Sequence, residues 1–171
     1  FKFLLNKCYN LNNNYKRDYK KLLDLIINQN GIKILDYLFK NGLDINLKNN
    51  LALINASENG YLEVVKFLVE NKADIHSQDN YALRLASGNG HLEVVKFLIE
   101  NGADIHAQDD FALIIASDYE HLSIVKFLVE NGANIHAQKN NALIVASYNG
   151  HLEIVKYLIE NKANINAQNN K

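Results

Sequence analysis

Six histidines, His76, His91, His106, His121, His136 and His151, stand 15 residues apart along the chain. Imidazole is the commonest metal ligand and a general base near neutral pH, so such a row is the first place to look for chemistry. The spacing argues against a metal. Ligands of one Zn²⁺ lie about 2.0–2.1 Å from it, whereas equivalent positions on packed helices lie about 8–10 Å apart. Two positions of a 30-residue unit generate the interval without any ligand. We therefore expect structural imidazoles, with no metal and no cofactor. The single cysteine, Cys8, has no histidine fixed beside it in sequence, which makes a thiol nucleophile a poor reading. There is no HExxH, no CxxC pair and no phosphate-cradling glycine loop. The Asp and Glu residues recur as helix caps and salt-bridge partners. No catalytic residue and no small-molecule substrate are expected.

Composition narrows the class further. A chain of 171 residues, 48% of them hydrophobic, carries enough apolar material for one domain. Its 18 basic and 19 acidic residues give a formal charge of −1, and KRDYKK at 16–21 is the only short basic run, so nucleic acid is not an expected partner. One cysteine cannot pair within the chain, which predicts a reducing compartment, cytoplasmic or nuclear. Apolar runs such as VVKFLV at 64–69 are too short to span a bilayer, and FKFLL lacks the features of a signal peptide, so no membrane role is expected. The absence of Pro, Met and Trp beside abundant Asn, Ile and Lys reads as a coding bias.

The elements that position these residues follow from a repeat. Segments 51–80, 81–110, 111–140 and 141–170 align without a gap. Ala52, Leu53, Ser57, Lys66 and Gln78 each recur in all four. Residues 21–50 form a degenerate copy, in which Tyr37, Leu38, Asn41, Gly42, Asp44 and Ile45 match Phe97, Leu98, Asn101, Gly102, Asp104 and Ile105. Residues 1–20 align with the end of a further copy plus a loop, and the chain is expected to be a piece of a longer array. The stretch YALRLASGNG at 81–90 predicts a short helix closed by Gly90, with Ala82 and Ala86 permitting close helix approach. The stretch HLEVVKFLIEN at 91–101 predicts a second helix, apolar at Leu92, Val94, Val95, Phe97, Leu98 and Ile99 and capped by Gly102. Its outer face offers Glu93–Lys96 and Lys96–Glu100 pairs. Two such helices cannot bury so wide an apolar surface alone, so copies must stack into an elongated right-handed solenoid.

The residues GHLEVVKFLIENGADIHA, 90–107, resemble the second helix and following loop of ankyrin repeats, and the likeness recurs over nearly the whole chain. The resemblance implies an all-α solenoid of stacked helix-turn-helix units. The family's usual period is about 33 residues. The missing residues fall between Gln108 and Ala112, so short loops are expected where the family projects a β-hairpin. The family's T-P-L-H becomes Tyr81, Ala82, Leu83, Arg84. Without the Thr, Asn50, Asn80, Asp110 and Asn140 are expected as helix N-caps, worth about 1 kcal/mol each over Ala. This 30-residue, Asn-rich form is similar to arrays encoded by very large DNA viruses of amoebae. From the resemblance, His91, His121 and His151 are expected to hydrogen-bond near the interhelix turn, with Tyr61 in that place once. His76, His106 and His136 occupy a family Asn position that survives as Asn46 and Asn166, and the resemblance implies possible β-hydroxylation of those two by a host oxygenase.

What varies between copies carries the functional expectation. Second helices are nearly invariant, while first helices differ at position one (Leu51, Tyr81, Phe111, Asn141) and position four (Ile54, Arg84, Ile114, Ile144). They differ again at positions eight and nine: Glu58 and Asn59, Gly88 and Asn89, Asp118 and Tyr119, Tyr148 and Asn149. In the resembled family the first helices line a concave groove. Tyr81, Arg84, Gly88, Asn89, Phe111, Asp118, Tyr119, Tyr148 and Asn149 are therefore the candidate partner-binding residues, with the aromatics and Arg84 foremost. Tyr81, Phe111 and Ile114 have a competing role as filling between repeats. Glu120 stands where Gly60, Gly90 and Gly150 stand, which requires either a left-handed non-glycine residue or a different turn. The expected function is a non-enzymatic scaffold that binds another protein in a host cell. The alternatives are a substrate-recruiting adaptor of a ubiquitin ligase and a structural or particle component.

Overall fold

The computed structural model describes residues 31–40 and 47–166. Expectations resting on Cys8, Asn46 and the copy at 1–20 lie outside the described residues. Among the described residues there are nine helices and no strand: α1 Gly31–Lys40, α2 Leu47–Glu58, α3 Leu62–Glu70, α4 Ser77–Gly88, α5 Leu92–Glu100, α6 Ala107–Asp118, α7 Leu122–Glu130, α8 Ala137–Tyr148 and α9 Leu152–Glu160. The architecture is a helical repeat solenoid, as the repeat predicts.

The positions that recur in sequence are those that are buried. Leu53, Leu83 and Leu113 of the first helices and Leu68, Leu98, Leu128 and Leu158 of the second are almost completely removed from water. Each contributes about 1.5–3 kcal/mol by burial. Ala82, Ala86, Ala112 and Ala116 are buried where first helices meet, and their small size lets α2, α4, α6 and α8 lie along one another. The second helices α3, α5, α7 and α9 carry larger side chains and touch their neighbours only sparsely. A stack with a tight layer and a loose layer bends toward the tight one, which puts the first helices on the inner side.

Second helices end as expected. The φ of Gly102 is +99°, its N–H donates to Ile99 O, and Ala103 N–H closes the turn on Leu98 O at 2.9 Å. Asn101 Nδ2 adds a bond to Phe97 O at 2.8 Å, repeated by Asn71, Asn131 and Asn161. Of the two surface pairs expected on α5, Lys96 bonds Glu93 at 2.8 Å. Among the described residues no bond joins Lys96 to Glu100.

First helices begin differently from expectation. Gln78, Asp79 and Asn80 have φ/ψ of 53/46°, 56/52° and 58/41°, a left-handed turn from which the right-handed part of α4 follows. The same turn recurs at Gln108–Asp110 and Gln138–Asn140. This is how 30 residues do the work of a longer unit with a hairpin. An N-cap has backbone angles in the β region, so Asn50, Asn80, Asp110 and Asn140 do not fill that role. Instead the Oδ1 of each accepts the N–H of the residue 24 positions on, at 2.8–2.9 Å: Asp74, Asp104, Asn134 and Asn164 respectively. These bonds tie the start of a helix pair to the loop that leaves it. Left-handed backbone costs non-glycine residues about 1–2 kcal/mol each, and Asn and Asp bear it best because their short side chains bond locally. Here the bond they make is also buried, where losing an acceptor is expensive.

Candidate partner-binding face

The two histidine sets have separate tasks. His91, His121 and His151 direct Nε2 at Glu58 O, Gly88 O and Asp118 O at 2.9, 3.0 and 2.9 Å. A carbonyl only accepts, so each ring carries its proton on Nε2. Each bond caps the end of a first helix from the following repeat, where free carbonyls need donors. The expected hydrogen-bonding role near the turn is therefore realised, and it joins adjacent repeats. The ring needs room: a Cβ on Gly90 would lie 2.7 Å from His121 Cε1, and one on Gly60 2.4 Å from His91 Nδ1. Glu120 adopts the strained alternative, with φ +64°, and its carboxylate stands 3.7 Å from His151 Nδ1.

His106 and His136 instead donate from Nδ1 to Asp110 Oδ1 at 3.0 Å and Asn140 Oδ1 at 2.9 Å, supporting the side chains that close each repeat. Their own N–H groups bond Asp104 Oδ1 and Asn134 Oδ1 in tight turns. Among the described residues no three His, Cys, Asp or Glu side chains converge in a metal-binding group.

The first-helix face divides the sequence candidates into three groups. Tyr81, Arg84 and Phe111 come together. The Arg84 guanidinium lies 4.9 Å from the Tyr81 ring centroid and 5.7 Å from that of Phe111, held between a ring of its own repeat and one of the next. Nη1 donates to Gln108 Oε1 at 2.8 Å and Nη2 to Gln78 O at 3.0 Å. Tyr81 and Phe111 are half-buried, so they pack and still present an edge, whereas Ile114 and Ile54 are core residues.

Asp118, Asn149, Asn89 and Gly88 make internal contacts. Asn149 Nδ2 donates to Asp118 Oδ1 at 2.8 Å and to Asp118 O at 3.2 Å across the repeat boundary. Asn89 Nδ2 caps Leu85 O at 2.8 Å. At Gly88 a Cβ would approach Ile115 Cδ1 to 2.9 Å, so the glycine accommodates the next helix. Tyr119 and Tyr148 form the third group. At 60% and 90% exposure they are the largest accessible side chains at the ends of first helices. Asn166 is exposed, with its N–H bonded to Asn164 Oδ1 at 2.9 Å.

Sequence reasoning passed over the turn glutamines. Gln108 Nε2 reaches Asp79 Oδ2 at 3.1 Å, and Gln138 Nε2 reaches Gln108 O at 3.2 Å. These bonds link successive left-handed turns beside Arg84. The signal was present, since Gln recurs at 78, 108, 138 and 168. A groove of about 410 Å³ opens next to this row, lined by Asp79, Asn80, Asp104, His106, Ala107, Gln108 and Asp109.

No curated protein matches the chain. The family model described as "Ankyrin repeats (3 copies)" matches residues 1–79, 23–109 and 83–169, which together span nearly the whole sequence. With its stacked helix pairs and its first-helix face in view, the chain belongs to the ankyrin-repeat family.

Proposed function

We propose that this protein is a non-enzymatic scaffold that binds a partner protein across the inner face of α2, α4, α6 and α8. Repeats of this family are in general protein–protein interaction modules. One observation carries the specific reading. The residues that vary between otherwise similar copies fall on the first-helix layer, and Tyr119, Tyr148 and the Tyr81–Arg84–Phe111 clasp there offer the side-chain types that dominate interface energetics. The proposed setting is the cytoplasm or nucleus of a host cell. That setting rests on the lone cysteine and on the likeness of the 30-residue, Asn-rich unit to arrays of very large DNA viruses of amoebae.

The experiment is affinity capture from host-cell lysate with three baits: the parent chain, a variant carrying Arg84→Ala, Tyr119→Ala and Tyr148→Ala, and a control carrying Lys66→Ala, Lys96→Ala and Lys126→Ala on the second helices. A protein retained by the parent and the control but lost by the first variant supports the reading. The same proteins on all three baits would sink it. A second reading, a structural component joined through repeat ends, draws on Leu152 and Ile165. Both are exposed in the last described repeat, beyond which no described repeat follows to cover them as the next repeat covers Leu92 and Ile75. Concentration-dependent growth in light scattering, abolished by Leu152→Lys, would favour it.

A further inference from the structure

Arg84 lies on the first-helix layer of the described residues, where exposed Lys139 is another cation, and no carboxylate stands within salt-bridge distance of it. Its two bonds go to neutral acceptors, the Gln108 amide oxygen and the Gln78 carbonyl. Nε is buried without a partner. Both terminal nitrogens bond at the surface, and an arginine carries five N–H donors, so each terminal nitrogen keeps a further N–H. The guanidinium plane is held by Tyr81 on one repeat and Phe111 on the next. An arginine fixed in this way has already lost the rotamer freedom that a mobile surface arginine loses on binding. An oriented, half-buried cation whose direct partners are all neutral is complementary to an anion. A carboxylate is the planar acceptor that a guanidinium fork matches best.

The surroundings restrict the anion. Gln108 also forms part of the adjoining groove, whose walls include Asp79, Asp104 and Asp109. A dianionic phosphate or a run of acidic residues would be repelled there, while one carboxylate flanked by neutral or basic residues would not. We propose that Arg84 is the specificity anchor of the partner-binding face, and that it recognises a single Asp or Glu side chain of the partner, set among neutral or basic residues. This rests on the scaffold reading and adds the chemistry of what is bound.

Selection of random 12-residue peptides displayed on phage against the immobilised full chain tests it. The expected result is enrichment of one Asp or Glu at a fixed place, without acidic neighbours. A synthetic peptide of that sequence should lose at least about ten-fold in affinity when the acid is changed to its amide, the range for a hydrogen bond to a charged group. On the Arg84→Ala protein the acid and amide forms should bind alike, and phosphoserine at that place should weaken binding to the parent. Because Arg84 also ties two turns together, a second readout avoids mutation. The chain has two arginines, Arg17 and Arg84, and only one side-chain Nε–H NMR signal should move with the acidic peptide and stay with the amide form. Enriched peptides without a fixed acid, an acid whose loss costs the same on Arg84→Ala, or a phosphoserine form that binds more tightly would each overturn the anchor and leave the scaffold standing. Failure of any peptide to enrich would overturn both.

Discussion

The joint between repeats rests on an imidazole seated over a glycine, and paired glycine substitutions isolate its contribution. Gly90 and Gly102 both have left-handed backbone, with φ +81° and +99°, so Ala at either position incurs about 1–2 kcal/mol of strain. Ala also restricts the unfolded chain, which returns about 0.4–1 kcal/mol. Only their surroundings differ. A Cβ at 102 meets nothing within 4 Å, while one at 90 would stand 2.7 Å from His121 Cε1 and 2.9 Å from Nδ1. The ring must shift, as His151 does beside Glu120 while keeping its bond to Asp118 O, and the strain on the His121 bond to Gly88 O adds up to about a further 1 kcal/mol. Gly102→Ala should therefore cost about 0–1.5 kcal/mol and Gly90→Ala about 1–2.5 kcal/mol. Urea unfolding followed by circular dichroism measures both, and adding His121→Ala to each completes a double-mutant cycle. Coupling of about 1 kcal/mol is expected between 90 and 121 and none between 102 and 121. Equal losses for the two glycine variants, or strict additivity of Gly90→Ala with His121→Ala, would refute the account of the joint.

Three further outcomes follow from the same geometry. Glu120→Gly relieves left-handed strain of about 1–2 kcal/mol against a glycine entropy cost of about 0.5–1 kcal/mol, so thermal melting should show a small gain in stability. Asp110, 4% exposed, accepts from Asn134 N–H and His106 Nδ1. Asp110→Asn keeps an oxygen there, as Asn80 and Asn140 do, and should unfold in urea within about 0.5 kcal/mol of the parent, whereas Asp110→Ala should lose about 1–3 kcal/mol. The Tyr157 phenol is pushed above its ordinary value near 10, first by burial and then by the Glu130 carboxylate. Stability tied to its protonated form is complete below that ordinary value and is lost as pH rises through the folded one. In an alkaline titration of phenolate absorbance, Tyr157→Phe should remove a late-titrating component and flatten the loss of stability.

Much of the fold was legible because burial and sequence identity coincide. Leu83, Ala86, Val95 and Leu98 recur since any larger or smaller side chain would disturb two repeats at once. The hydrogen-bonding role of His91, His121 and His151 near the interhelix turn was legible through family resemblance, but that it joins adjacent repeats was not. The left-handed turns were not, because nothing local in Gln78 or Lys139 favours φ near +50° to +60°; a bond to a residue 24 positions away stabilises it. The candidate face was legible only as variation. Which variable residues serve the stack and which are free depends on partners one repeat away, as Asp118 with Asn149 and Tyr81 with Phe111 around Arg84 show.

Asparagine content, which in composition reads as a coding bias, has a structural distribution. Asn71, Asn101, Asn131 and Asn161 cap second helices, and Asn50, Asn80 and Asn140 close repeats. A short amide that donates, accepts and tolerates left-handed backbone suits both places. With the hairpin absent, these side-chain bonds hold each unit in register, and they are made from turn and loop positions rather than from positions one, four and eight of the first helices. Position four is nonetheless packed in other copies, where Ile54 and Ile114 are core residues. At Arg84 the same position bridges two turns through neutral acceptors, with no carboxylate within salt-bridge distance. A side chain that served stability alone would do as well as the isoleucines at 54, 114 and 144, which occupy the same position without a buried unpaired N–H. Packing alone explains an isoleucine there, and the surface-exposed terminal N–H groups of Arg84 are what a binding role uses.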